Sequence, residues 1–217
     1  VRWRSRRERL RGIGHQRAAV AVAEPQLPCY RSPTIQELFS RLAPAGPRHV
    51  LDLGPVTSAN VEFFSRFSCR LQIVNLLGTL AADPSRALLA TNPAAALRQV
   101  LPRDARDFDV VLAWDVFNYL TREQARTAVR ILSELTGPAA WVLAFIYTSK
   151  EMPAAARTFK IIDDHTLRWE QPSEAVRPSP RYPPAEVEKL FASFTIVRSV
   201  LMRHGMQEFL FTRRREE

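Results

Sequence analysis

Apolar residues occur along this chain in two patterns, short solid runs and spaced stripes, and the two alternate. "RHVLDLG", "CRLQIVNLL", "FDVVLAWDVFNYL" and "AWVLAFIYTS" are nearly continuous runs of strand length. Such runs predict strands buried on both faces. Helical stripes separate them. Ile35, Leu38, Phe39 and Leu42 give one apolar face, and Thr34 with Glu37 predicts a capping box at its start. Val61, Phe63, Phe64 and Phe67 supply the packing of a second helix, which Ser58 is placed to cap. Ala125, Ala128, Val129, Leu132 and Leu135 form the inner stripe of a third, opened by Thr121 and Gln124 and closed by Gly137-Pro138. Pro183-Pro184 starts a last helix through "AEVEKLFASF". "TLAADPSRALLATNPAAALRQVLPRDARD" reads as Ala- and Leu-rich helical pieces broken by Pro84 and Pro93, in which no strand can be placed.

Each parallel return needs a crossover, so this alternation predicts an α/β, doubly wound, mostly parallel sheet with helices on both faces. "TIVRSVLMRHGMQEFLFTRR" adds two strand-like runs joined at His204-Gly205, a C-terminal antiparallel β-hairpin. Residues 1–31 read as a basic arm ending in the Pro-punctuated linker "AEPQLPCYR", and residues 32–217 as the domain. Within the domain, 151–184 is an irregular insertion. Its "RTFKIIDDHTLRWEQ" predicts two short strands around Asp163-Asp164-His165.

With 217 residues, 46% of them hydrophobic, the chain is long enough for one domain with a sizeable core. The longest apolar runs are too short to span a bilayer. The net charge of +9 is concentrated in the arm, where residues 1–17 carry seven arginines against Glu8. Such an arm suits an acidic protein or RNA, or it is a solvated extension. Arginine also outnumbers lysine elsewhere, beside abundant alanine and proline, which reads as compositional bias. Cys29 and Cys69 form no metal-type pair, the four histidines are scattered, and no metal is expected. His49 precedes a strand and reads as packing. No Ser/His/Asp or Cys/His arrangement can be assembled. The composition suits a cytoplasmic protein.

Ligands of such sheets sit beyond the carboxyl ends of the strands, at the switch point of the strand order. "HVLDLGPVTSAN", Asn75 to Leu77 and Trp114 to Tyr119 occupy those exits. "VLDLG" before a helix, "FDVVLAWDVFNYL" before a capped helix and the closing hairpin together resemble a class I S-adenosylmethionine-dependent methyltransferase, over roughly residues 33–213. The resemblance implies a seven-stranded Rossmann-like sheet, S-adenosylmethionine as cofactor, a small-molecule acceptor and in-line methyl transfer. It places Asp52, Gly54, Pro55, Thr57, Ser58 and Asn60 in the cofactor loop. Asn75 stands where the family has an acidic residue on the ribose, Asn92 in the region of an adenine contact, and Trp114 and Asp115 at the cleft. Phe117, Asn118, Tyr119 and Tyr147 are expected near the acceptor. Phe159, Trp169 and Tyr182 are expected in a lid formed by the insertion.

The loop departs from the family's Gly-x-Gly-x-Gly. Val56 and Ser58 replace two glycines, Pro55 stiffens the turn, and Val56 is costly wherever the backbone needs positive φ. Asn75 lacks the charge-assisted grip of a carboxylate. Three readings stay open: an active methyltransferase, a methyltransferase-like binding or assembly subunit without activity, and another nucleotide-binding doubly wound protein. The first is the expectation carried forward. Methyl transfer asks little of side chains, so no catalytic residue is assigned.

Overall fold

The four apolar runs form the parallel part of one sheet. In the computed structural model, residues 29–42, 48–103, 107–203 and 205–214 are described. The arginine-rich arm and His204 lie outside them. The elements run β1 (Cys29–Arg31), α1 (Pro33–Leu42), β2 (Arg48–Asp52), α2 (Ser58–Ser65), β3 (Cys69–Ile73), α3 (Leu76–Ala81), α4 (Ser85–Thr91), α5 (Pro93–Val100) and β4 (Phe108–Trp114). A 3-10 turn (Val116–Tyr119) leads to α6 (Arg122–Leu135), β5 (Thr136–Tyr147), β6 (Glu151–Pro153), β7 (Thr158–Ile161), β8 (Thr166–Glu170), β9 (Val176–Pro178), α7 (Pro184–Leu190), β10 (Phe194–Leu201) and β11 (Met206–Arg213).

The main sheet has the order β3-β2-β4-β5-β11-β10. β3, β2, β4 and β5 are parallel, and β11 runs antiparallel between β5 and β10. The turn into β11 uses Gly205 at φ +76°, a conformation that glycine adopts without strain. Among the described residues this sheet has six strands, not seven. The stretch between β3 and β4, read from the sequence as helical pieces, makes α3, α4 and α5, so the seventh strand implied by the resemblance is not found there. Its alanines and leucines favour helix, and Asn92 with Pro93 restarts one: the Asn92 side chain accepts from the Ala95 N–H at 3.0 Å.

Alternation along β4 divides the core. Val111 and Ala113 pack with α3, α5, α6 and α7, through Leu76, Leu97, Ala128, Leu132 and Leu190. Val110, Leu112 and Trp114 face the other layer, with Ile35, Phe63, Phe64, Phe145 and Met206. Here α1 and α2 cover only part of the face. The rest lies under a second, three-stranded sheet in the order β1-β8-β7, which contributes Phe159, Ile161, Leu167 and Trp169. Three linker residues, Cys29–Arg31, are therefore a strand, paired with β8.

Local signals differ in outcome. Thr121 and Gln124 form the expected capping box of α6, but the helix ends at Leu135 and Gly137-Pro138 lies inside β5. Thr57, not Ser58, caps α2 by accepting from the Asn60 N–H. At α1 the cap is Ser32, whose Oγ accepts from the Ile35 N–H, while Thr34 is buried and donates to Glu208. Glu37 pairs with Arg41 and Arg198 instead of closing a box. Val61 and Phe67 are exposed, leaving Phe63 and Phe64 as the packing residues of α2. No described helix is long and apolar enough to cross a membrane.

Candidate functional site

The strand order reverses between β2 and β4, and a cavity of about 280 Å³ lies at their carboxyl ends. It is lined by Leu53, Gly54 and Pro55 after β2, by Asn75, Leu77 and Gly78 after β3, and by Trp114, Asp115 and Val116 after β4. Ala156, Arg157 and Thr158 of the insertion close one side. A larger depression of about 810 Å³ sits at the other end of the sheet, where β5 begins, lined by Arg98, Gln99, Thr136 and Arg213 among others. The strand exits do not reach it.

Below the cavity the Asp52 carboxylate is fully buried. Its Oδ1 accepts from the Gly54 N–H at 2.8 Å and from the Trp114 indole N–H at 2.6 Å, and its Oδ2 from Asn60 Nδ2 at 3.2 Å. Burial makes it a weaker acid, raising its pKa above the ordinary carboxylate value, and these three donors only partly offset that. Gly54 is needed for close approach: a Cβ there would stand 3.0 Å from Trp114 Cδ1. Neither Val56 nor Ser58 has a left-handed backbone. The left-handed residues at the site are Asn75 (φ +47°) and Trp114 (φ +49°). Val56 is 70% exposed and lies outside the cavity lining. The Asn75 side chain rests against Gly78, where a Cβ would meet it at 2.5 Å.

The insertion is fastened to this loop. The Asn60 amide donates to the Phe159 carbonyl and accepts from the Ile161 N–H, at 3.2 and 2.8 Å. The Phe159 ring stacks on Trp114, with centroids 5.4 Å apart and planes 7° from parallel. Asp115, also buried, accepts from the Arg157 backbone N–H at 3.2 Å, and desolvation pushes its carboxyl up to about 7.

Of the expected cofactor residues, Gly54, Pro55, Asn75, Trp114 and Asp115 line the cavity, and Asp52 underlies it. Asn60 is engaged by β7, Thr57 is a helix cap and Ser58 is an exposed first-turn residue. Asn92 caps α5 and does not line the cavity. Among the expected acceptor residues, Tyr147, Phe159 and Trp169 share the layer that contains Trp114. Tyr119 is tied to it through bonds to the carbonyls of Pro153 and Ala155. Phe117 and Tyr182 do not: both belong to the opposite core layer, where Phe117 packs on Phe191, so Tyr182 is no part of a lid over this cavity. Asn118 is structural, bridging the Phe145 carbonyl and the Tyr147 N–H. Gly78, Ala156, Arg157 and Thr158 line the cavity unanticipated. A glycine one helical turn after Asn75 was the available signal for the first. Nothing local marked the insertion residues.

Asp163, Asp164 and His165, at the β7–β8 turn, bring three ligand-type atoms within 4.8 Å of one another. His165 Nδ1 lies 2.6 Å from Asp164 Oδ1.

Similar solved structures are methyltransferases. One, from Burkholderia thailandensis, is the 1,6-didemethyltoxoflavin-N1-methyltransferase with bound 1,6-didemethyltoxoflavin and S-adenosylhomocysteine. It is 18% identical, with 83% of this chain and 76% of that one covered and a TM-score of 0.48. A second is an S-adenosylmethionine-dependent methyltransferase from Clostridium acetobutylicum, 9% identical, with coverages of 82% and 90% and a TM-score of 0.49. A third is the N-methyltransferase NodS from Bradyrhizobium japonicum with S-adenosylhomocysteine, 15% identical, with coverages of 85% and 89% and a TM-score of 0.45. No protein-family profile and no curated protein matches the chain.

Proposed function

We propose that this chain is an S-adenosylmethionine-dependent methyltransferase acting on a small-molecule acceptor. The observation that carries the proposal is the cavity at the switch point, walled by the exits of β2, β3 and β4 and floored by the Asp52–Gly54 turn. The cofactor supplies a methyl group already activated by its sulfonium, so the protein's work is to bind, orient and exclude water.

The residues present fit that task. Gly54 and Gly78 keep the backbone free of side chains at the two walls, and Asn75 offers an amide to ribose hydroxyls. Asp115 faces the cavity from β4 and can hold or take a proton near neutral pH, as an acceptor N–H or O–H requires. The cavity is slightly smaller than the ~300–1,000 Å³ of common ligand clefts. Trp114 occupies the ground over Gly54 and holds Asp52, so full seating of the methionyl end requires the indole to move. A binding or assembly subunit without activity had its argument in the basic arm, which lies outside the described residues, and in the loop departures, of which Val56 stands clear of the cavity.

Calorimetric titration with S-adenosylmethionine and S-adenosylhomocysteine tests the proposal. Saturable binding of both is expected. No heat at millimolar ligand, with the protein folded, overturns it.

A further inference from the structure

Arg157 is the cation on the cavity wall among the described residues, and its guanidinium donates to no carboxylate. Its Nε and Nη2 both donate to the neutral Gln171 Oε1, at 3.2 and 3.1 Å. Its Nη1 is shielded from solvent and has no hydrogen-bond partner. The guanidinium carbon lies 5.6 Å from the ring centre of Tyr147 and 5.1 Å from that of Trp169. Tyr147 is 2% exposed, and its Oη too has no partner. Burial, reinforced by the Asp115 carboxylate, raises the phenol further above its ordinary range, so it stays protonated and a donor.

Two neighbouring buried donors are thus left without an acceptor, which native structures avoid unless a ligand or water completes the site. Of the buried carboxylates nearby, neither accepts from the guanidinium. Asp115 takes the backbone N–H of Arg157, not its guanidinium. Glu208, fully buried on β11, accepts from Tyr30 Oη, Ser32 Oγ and Thr34 Oγ1, at 2.7, 2.8 and 2.5 Å. Stacking on aromatic rings leaves the guanidinium edge as its donor side, a planar geometry that suits a carboxylate. A single cation suits a monoanion better than a phosphate dianion.

We propose that Arg157, which lines the cavity, and Tyr147, whose ring lies against its guanidinium, form a carboxylate-binding subsite, completed when a ligand carboxylate takes the free Nη1 and Oη donors. The inference rests on the methyltransferase reading for its two possible sources, the methionyl carboxylate of the cofactor or a carboxylate on the acceptor.

The experiment compares the full chain with Arg157→Gln, Arg157→Lys and Tyr147→Phe by calorimetry, with circular dichroism and Tm as fold controls. Tyr147→Phe removes only an unpartnered hydroxyl, so its Tm should equal or exceed that of the parent. The ligands are S-adenosylhomocysteine, methylthioadenosine, which lacks the amino-acid part, and benzoate and indole-3-acetate against their primary amides. If the cofactor supplies the carboxylate, Arg157→Gln weakens S-adenosylhomocysteine by about tenfold to a hundredfold and leaves methylthioadenosine unchanged. If the acceptor supplies it, S-adenosylhomocysteine is unaffected. The carboxylates then bind the parent about tenfold better than the amides, and Arg157→Gln abolishes that preference. In either case Tyr147→Phe moves affinity the same way by a smaller factor, and Arg157→Lys restores part of it. The proposal is overturned if folded Arg157→Gln and Tyr147→Phe leave both S-adenosylhomocysteine affinity and the carboxylate preference at parental values. Failure of both nucleosides to bind counts against the methyltransferase reading, whereas the carboxylate–amide comparison, run without nucleoside, still tests Arg157.

Discussion

Single residues at this site do work that their neighbours in sequence do not reveal. Asp52 and Gly54 were legible, because a polar residue and a glycine ending an apolar run have few other uses. Their partner was not: Trp114 is 62 positions away and reaches Asp52 only once β4 lies beside β2. Arg157 and Glu208 carried no signal at all, since their importance comes entirely from what folding places around them. Asn75 allows a sharp test. Asparagine and aspartate both tolerate its left-handed backbone, so Asn75→Asp should fold and strengthen a ribose contact. S-adenosylhomocysteine binding should tighten several-fold, by roughly 1 kcal/mol, in calorimetry. Unchanged or weaker binding removes the ribose assignment. Asp115 gives a pH signature. Its folded value of about 7 lies above the ordinary 3.8, so folding favours the protonated form. The associated stability is fully present below about pH 4 and is lost as pH rises through 7, in total on the order of 4 kcal/mol. Asp115→Asn should cancel this. Chemical denaturation should show the variant gaining on the parent steadily from about pH 5 to pH 8, and a pH-independent difference would refute the assignment.

At the level of elements, those with strong local patterns were readable: β2, β4, β5 and α6 with its capping box. What the pattern missed was decided by tertiary pairing. Cys29–Arg31 reads as linker because three residues carry no periodicity, yet β8 supplies a ladder for them. The extra strand implied by family resemblance gave way to α4 and α5, where local helix propensity prevailed. The join between α2 and β7 is a single amide, Asn60, which serves Asp52 and two backbone groups of β7 at once. Asn60→Ala would leave the Ile161 N–H and the Phe159 carbonyl buried and unpaired. A loss of about 2–4 kcal/mol is expected in urea denaturation, with faster hydrogen exchange at Ile161. A cost below ~0.5 kcal/mol would mean that the insertion is held by its aromatic packing alone.

Across the whole molecule, the second core layer depends on a long-range tether. Tyr30, Ser32 and Thr34 converge on Glu208, which sits 174 to 178 positions later in the chain. Glu208→Ala would leave three hydroxyls without their acceptor beneath the β1-β8-β7 sheet. About 3–5 kcal/mol should be lost, with protease cleavage appearing first near residues 29–34; equal loss of protection everywhere would instead indicate global unfolding. The same tether bears on refolding. β11, which carries Glu208, lies between β5 and β10 and bonds to both. Until it docks there, β1 is held by β8 without Glu208, and Trp169, Phe159 and the apolar side of β4 lack their full cover. A refolding chain in which β11 has not yet docked therefore displays aromatic surface, and at that stage aggregation competes with folding.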